Sequence, residues 1–411
     1  MRMVNEYLAQ MPGSYLFTET GRRAAEWVER HPGKRLLRLG LGDVSLPIPA
    51  VAAEAMRDAA AELSSLETFR GYGPECGYDF LRYGITRAHY HDYGIEIDPG
   101  EVYVSDGAKS DCGGILDIFD KECRIALCDP VYPAYAEALA IGGRAGSYSS
   151  SNGRWENLIY LPCTAENGFV PAPPEGKVDL VYLCFPNNPT GAVASGKQLE
   201  VWVEWANRTG AVILFDGAYE AYISDETVPH SIYEIDGARN CAIEMRSFSK
   251  MAGFTGVRCA YTVIPRELIR NGRRLGELWR RRQAARFNGV SYIAQRGAEA
   301  VCSELGCKQV GACIEYYMRN AFKLRDGLRS CGLTVYGGEH APYIWIKAPS
   351  GMKSWAFFDL LLEKGGVLAT PGVGFGLCGE GYIRLTAFGS EEDTKQALER
   401  IAEIAPSDHG W

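Results

Sequence analysis

Lys250 stands in SFSKMAGFTGVR, a hydroxyl-rich turn running from Ser247 to Arg258. The flanking runs, CAIEM and RCAYTVI, are rich in β-branched and apolar residues and predict buried strands. A lysine at such a junction offers an amine that burial can deprotonate, and Ser247, Ser249 and Arg258 are donors suited to a phosphate. An amine beside a phosphate cup is the equipment needed to hold pyridoxal phosphate. An S-x-S-K segment also fits an ordinary solvated lysine on a glycine-containing loop, so the decision rests on what accompanies it.

Five further groups bear on that decision. Asp216 ends the run AVILFD, where a carboxylate either caps the next turn or faces a protonated ring nitrogen, the pairing that makes a pyridine ring an electron sink. Asn188, in PNNPTG, is either turn chemistry or an amide held in one direction by the proline after it. Asp106-Gly107-Ala108-Lys109 precedes a helix-like stretch whose first N–H groups suit a phosphate, and Tyr132 in DPVYP is either a core aromatic or a stacking platform at a strand end. Arg384 lies inside the apolar strand YIRLT; a buried arginine needs an anion, from an internal salt bridge or a bound carboxylate.

These residues need a scaffold, and the pattern predicts one. From Glu101 onward EVYV leads into SDGAK, RIALC into DPVYP, DLVYLCF into PNNPTG and AVILF into DGAYE, with helical segments such as QLEVWVEWANR between several of them. Short buried strands alternating with helices predict an α/β fold with a mostly parallel sheet, and such sheets bind ligands beyond the carboxyl ends of their strands. Earlier, RRAAEWVER predicts a helix stopped at His31-Pro32-Gly33, RLLRL a strand leading to Gly40 and Gly42, and AVAAEAMRDAAAEL another helix. Beyond Arg286 the pattern changes to one long amphipathic helix from Val310, then TVY, YIWIK, VLAT and YIRLT as strands around the helical KSWAFFDLLLEK. The expected organisation is an N-terminal segment 1–48 joining the small domain, a large domain 49–286, and a smaller α+β domain 287–411.

Composition narrows the function classes. The 411 residues carry 43 basic and 51 acidic side chains, a formal charge of −8 that argues against a nucleic-acid footprint. The 13 cysteines are scattered without a C-x-x-C pair, and the six histidines form no ligand pattern, so no metal is expected. The unpaired cysteines and the lack of an apolar leader or a spanning segment predict a cytoplasmic location. GVGFG lacks the spacing of a dinucleotide fingerprint.

Taken in order, DGAK, DPVYP, PNNPTG, FDGAYE and SFSK through GVR resemble the fold-type I aminotransferases, which use pyridoxal 5'-phosphate. That resemblance implies a large domain with a mostly parallel seven-stranded sheet between helices, plus a smaller α+β domain. At GYGPECG, LWRRRQAARFNGVSYIAQR, APYIWIK, TPGVGFG and YIRLTAFG the chain is similar to the LL-diaminopimelate aminotransferases, from about Tyr15 to Gly389. That resemblance implies Lys250 as the lysine that carries the cofactor, Asp216 on the ring nitrogen, Asn188 and Tyr219 on the ring hydroxyl, and Tyr132 stacked on the ring. Ala108, Lys109, Ser247, Ser249 and Arg258 would hold the phosphate, joined by Tyr72 from a partner subunit. Arg384 would take the substrate α-carboxylate, with Asn188 and Tyr132 nearby; Tyr15, Gly42 and Lys109, with Glu75 and Asn288 of the partner, would line the distal end. A homodimer with shared sites follows, acting on amino-acid and keto-acid substrates with no nucleic-acid or membrane partner.

The implied reaction exchanges LL-2,6-diaminopimelate and 2-oxoglutarate for tetrahydrodipicolinate and glutamate, a ping-pong step of lysine biosynthesis. The alternative is a class I aminotransferase for aspartate, alanine or aromatic amino acids. The chain departs from the family pattern at Cys76, Gly217, Met251 and His340.

Overall fold

Seven strands form the central sheet: β1 (Val102–Ser105), β2 (Ile125–Asp129), β3 (Leu158–Pro162), β4 (Leu180–Cys184), β5 (Val212–Asp216), β6 (Ala242–Ser247) and β7 (Ala260–Val263). The structure, a computed structural model, describes residues 3–11 and 15–404; the side chains of Tyr15 and Phe17 lie outside the described set. The sheet order is β1-β7-β6-β5-β4-β2-β3, and β7 alone runs antiparallel to its neighbours. Every residue of β2, β4 and β5 is buried, which a parallel sheet reaches only when both faces are covered. β1 and β3 are the two edges of the sheet; β1 is buried throughout, whereas β3, although its run LIYLP is apolar, is buried only at Leu158 and Leu161.

Polar residues enter the sheet at β6. Glu244 and Arg246 are buried on this strand, and Arg246 also approaches Glu220, 3.3 Å away, just past the end of β5. Tyr90 lies under the guanidinium and donates to Glu244 at 2.6 Å. This ionic knot ties the turn after β5 to the strand that leads into Lys250, and a buried cation of this kind persists only because its partners are within reach.

A second, four-stranded antiparallel sheet follows later in the chain: β8 (Val335–Gly337), β9 (Tyr343–Lys347), β10 (Thr370–Pro371) and β11 (Tyr382–Thr386), ordered β8-β9-β11-β10. The helix Ser354–Gly365 belongs to this region, and the long helix is Glu304–Ser330, starting before Val310 because the Ser303 side chain caps Gly306 N–H.

VLAT, expected as one strand, changes partner in its middle. Val367–Leu368 pairs in parallel with Leu37–Arg38, the surviving part of RLLRL, whereas Thr370–Pro371 pairs with β11. The crossing is tight: a Cβ on Gly40 would lie 2.4 Å from the Ala369 carbonyl oxygen, so only glycine fits.

Apolar side chains gather in two cores. One surrounds the seven-stranded sheet; the other joins Ala24, Trp27, Leu37 and Leu39 to the long helix, β9 and β11. The cavity described next is lined from both sides of their junction, by Cys112 and Tyr135 of the first core and Tyr219 and Tyr343 of the second. Among the described residues no helix is long and apolar enough to cross a membrane.

Candidate active site

Beyond the carboxyl ends of β4, β5 and β6 lies a cavity of about 440 Å³ that contains Lys250, Asp216, Asn188 and Arg384. Each is delivered by a local device. Ser247 ends β6 in extended backbone and its Oγ accepts Ser249 N–H at 3.0 Å, which turns the chain into the short helix Phe248–Met251. Lys250 lies one turn along, its carbonyl fixed by Tyr222 O–H at 2.8 Å and its Nζ donating to the Gly42 carbonyl.

Burial pulls the Lys250 amine down to about 8; Asp43 opposes the shift, while Arg384 and Arg258 add to it. About a tenth of the amine is therefore neutral at pH 7.

Asp216 is the last residue of β5. Its Oδ1 accepts Ala218 N–H at 2.9 Å, the local turn anticipated from sequence, and its Oδ2 accepts Tyr135 O–H at 2.5 Å. Cys112 Sγ sits 3.7 Å from the same oxygen. Burial raises the carboxyl above the usual range, and these donors oppose the rise. No lysine, arginine or histidine forms an ion pair with Asp216 among the described residues. A buried carboxylate at a cavity wall without its own cation is suited to receive one.

Arg384 occupies the centre of β11 and is 2% exposed. Nη1 donates to Asn188 Oδ1 at 2.6 Å and Nη2 to the Gly40 carbonyl at 2.9 Å, while Nε is buried with no hydrogen-bond partner among the described residues. Its guanidinium lies between the rings of Tyr343 and Phe375, 4.8 Å from each centroid. The internal salt bridge considered from the sequence is absent among the described residues: no carboxylate pairs with this cation. Burial accordingly pulls its pKa below the ordinary arginine value. The arrangement leaves a guanidinium facing a cavity with bonding capacity for an incoming carboxylate.

Ala108, Ser247, Ser249 and Arg258 gather on the lining of the same cavity. Gly107 makes that gathering possible. Its φ is +154°, and a Cβ there would lie 2.1 Å from Arg258 Nη2. Lys109 and Tyr132 line the wall together, the ammonium 6.0 Å from the ring centroid, and Gly42 and Tyr219 complete the predicted residues found here.

Tyr72, Glu75 and Asn288 do not line this chain's cavity. Tyr72 is 93% exposed, and the Asn288-Gly289 turn abuts Pro74 and Glu75, so the three share one outer surface. The Tyr15 side chain lies outside the described residues.

Several residues of the cavity escape the sequence reading. Tyr135 is three residues after Tyr132 and enters on the following helix, Ala134–Ile141; Tyr343 arrives from β9 and holds Tyr219 at a hydroxyl separation of 2.5 Å. The helical spacing in DPVYPAY was a usable signal for Tyr135. Nothing local marks Tyr343, whose partner lies 124 residues away.

Comparison with known proteins agrees with this geometry. Residues 34–401 match the family model for aminotransferases of class I and II. The chain is 52% identical over 406 residues to an LL-diaminopimelate aminotransferase of Bacteroides fragilis, covering 98% of this chain and 99% of the relative. It is likewise 52% identical over 404 residues to one from Lachnospira eligens, covering 98% and 100%. The solved L,L-diaminopimelate aminotransferase from Chlamydomonas reinhardtii superposes with a TM-score of 0.92 at 38% identity, covering 98% of both chains. The chain belongs to the class I and II aminotransferases. Within them, its place is in the LL-diaminopimelate aminotransferase family.

Proposed function

We propose that this chain interconverts LL-2,6-diaminopimelate and 2-oxoglutarate with tetrahydrodipicolinate and glutamate, using pyridoxal 5'-phosphate on Lys250. The observation that carries the reading is one cavity holding a lysine amine of lowered pKa and, among the described residues, a buried carboxylate without a cation and a buried guanidinium without a carboxylate. The residues fit the cofactor. Asp216 suits a protonated ring nitrogen, and the Gly107 cradle with Ser247, Ser249 and Arg258 suits a phosphate. Once bound, the group supplies an electron sink that stabilises negative charge on the substrate α-carbon.

The chain's own groups do the rest. Lys250 would hold the cofactor through its amine and, when released, would carry a proton from the substrate α-carbon. Asp216 would hold the ring-nitrogen proton. Asn188 and Tyr219 supply polar contacts for the ring hydroxyl, and Tyr132 supplies the stacking face. Arg384 orients the α-carboxylate of both amino donors, which differ only at the far end. In this reading Lys109, Gly42 and Tyr15 serve that end together with the partner's Glu75 and the partner's Asn288.

Shared sites make the working unit a homodimer, a reading supported by the exposure of Leu66, Phe69 and Tyr72 on one loop. The same reading divides the chain into 1–48, 49–286 and 287–411, and places the enzyme in the cytoplasm. The test is an amino-donor panel with 2-oxoglutarate, scoring glutamate formed from LL-diaminopimelate, meso-diaminopimelate, aspartate and alanine. Turnover of the LL isomer above the others is expected; failure to turn it over, with aspartate or alanine active, would assign the chain to another specificity.

A further inference from the structure

Tyr343 has no role in the reaction as set out so far, yet it touches two groups that do. Its ring faces the Arg384 guanidinium, and its hydroxyl lies 2.5 Å from that of Tyr219. Both tyrosines line the cavity, but Tyr343 is fully buried, and a Cβ at Gly42 would come within 3.3 Å of its oxygen. Among the described residues Tyr219 is the single hydrogen-bond partner of that hydroxyl.

Counting protons decides which hydroxyl donates. Each phenol has one proton. Were Tyr219 to donate, the Tyr343 proton would be buried without an acceptor, an arrangement that folded proteins avoid. If Tyr343 donates, every group is satisfied, and the Tyr219 proton is left for whatever oxygen occupies the cavity.

We propose that Tyr343 is a positioning residue of this active site, donating to Tyr219 so that the Tyr219 O–H is presented to the cofactor's ring hydroxyl oxygen, while its ring backs the carboxylate-binding face of Arg384. The inference rests on the cofactor reading above. One side chain from the small sheet thereby links the two ends of the reacting assembly, the ring oxygen and the substrate carboxylate.

The test compares wild-type, Tyr343→Phe, Tyr219→Phe and the double variant, each reconstituted with pyridoxal phosphate, by the pH midpoint of the visible absorbance of the lysine-bound cofactor. A donor on the ring oxygen stabilises its negative charge, so weakening that donor lets the lysine–cofactor unit keep its proton to higher pH. Tyr343→Phe is expected to raise the midpoint by about half to one pH unit, Tyr219→Phe to raise it further, and the double variant to match Tyr219→Phe. With the ring retained behind Arg384, the KM for glutamate should stay within about twofold while kcat falls several-fold.

A wild-type protein with no titrating visible band overturns the cofactor reading and this inference with it. A wild-type band that titrates, combined with an unmoved Tyr343→Phe midpoint or an additive double variant, overturns the inference alone. A Tyr219→Phe midpoint equal to wild type does the same without relying on any variant of Tyr343.

Discussion

Tyr135 donates its phenolic proton to Asp216 at 2.5 Å, joining the helix after β2 to the end of β5 across 81 residues of sequence. Asp216 is buried and its carboxyl is raised, so this donor is one of the few forces keeping it charged. Removing it in Tyr135→Phe lets the carboxyl rise further. The group is then neutral to higher pH, so the damage is greatest on the acid side and fades as pH increases. We expect kcat/KM about tenfold lower near neutrality and an acid limb displaced upward by about one pH unit. An acid limb that does not move would show that Asp216 takes no part in the titration.

Lys250 supplies a prediction in each of two directions. Lys250→Ala is expected to lose transamination by about 10²–10⁴-fold or more, together with the visible absorbance of bound cofactor. Full activity in that variant would remove the lysine from the mechanism.

The same amine weakens the cofactor-free fold. Its pKa falls from the ordinary lysine value to about 8, so between pH 8 and the unfolded value near 10.5 the unfolded chain binds more protons than the folded one. Stability contributed at this position therefore rises with pH across that window and is lowest below pH 8. Lys250→Met should stabilise the cofactor-free protein by about 1–3 kcal/mol at pH 7, an advantage that shrinks above pH 8. Denaturant melts at pH 7 and pH 10 measure it, and an equal gain at both would contradict the linkage.

Gly107→Ala tests the phosphate cradle. The new methyl would meet Arg258 Nη2, and the backbone there has a φ of +154°. Arg258 is a flexible chain that can move aside, so folding should survive while cofactor affinity falls about tenfold or more. Titration of the cofactor-free protein with pyridoxal phosphate gives the number; unchanged affinity would place the phosphate elsewhere.

Shared sites predict complementation between dead variants. A hybrid of Tyr72→Ala and Lys250→Ala subunits contains one site in which both residues are intact. Random reassortment of equal amounts should restore about a quarter of the wild-type activity. If each chain used its own Tyr72, the mixture would stay at the level of its parents.

How much of this was legible from sequence depends on how local each residue's support is. Lys250, Asp216 and Asn188 stand where a buried strand gives way to a turn, and a change from apolar run to polar punctuation is visible in one dimension. Arg384 was conspicuous as a charge inside an apolar strand, although its partner at Gly40 was not, since 344 residues separate them. Tyr343 reads as one more apolar residue of YIWIK. Its role depends on Tyr219 and Arg384, which only the tertiary fold brings together.

The loop from Leu39 to Gly42 has a consequence for biosynthesis. Thr386 N–H donates to the Leu39 carbonyl at 2.7 Å, Thr386 Oγ1 to Leu41 at 2.8 Å, and Arg384 to Gly40, so this stretch takes its partners from more than 340 residues further along the chain. All seven strands from β1 to β7 are translated in between. Ribosomal synthesis therefore finishes the lysine-bearing side of the cavity well before residues 384–386 exist to fasten the loop against it.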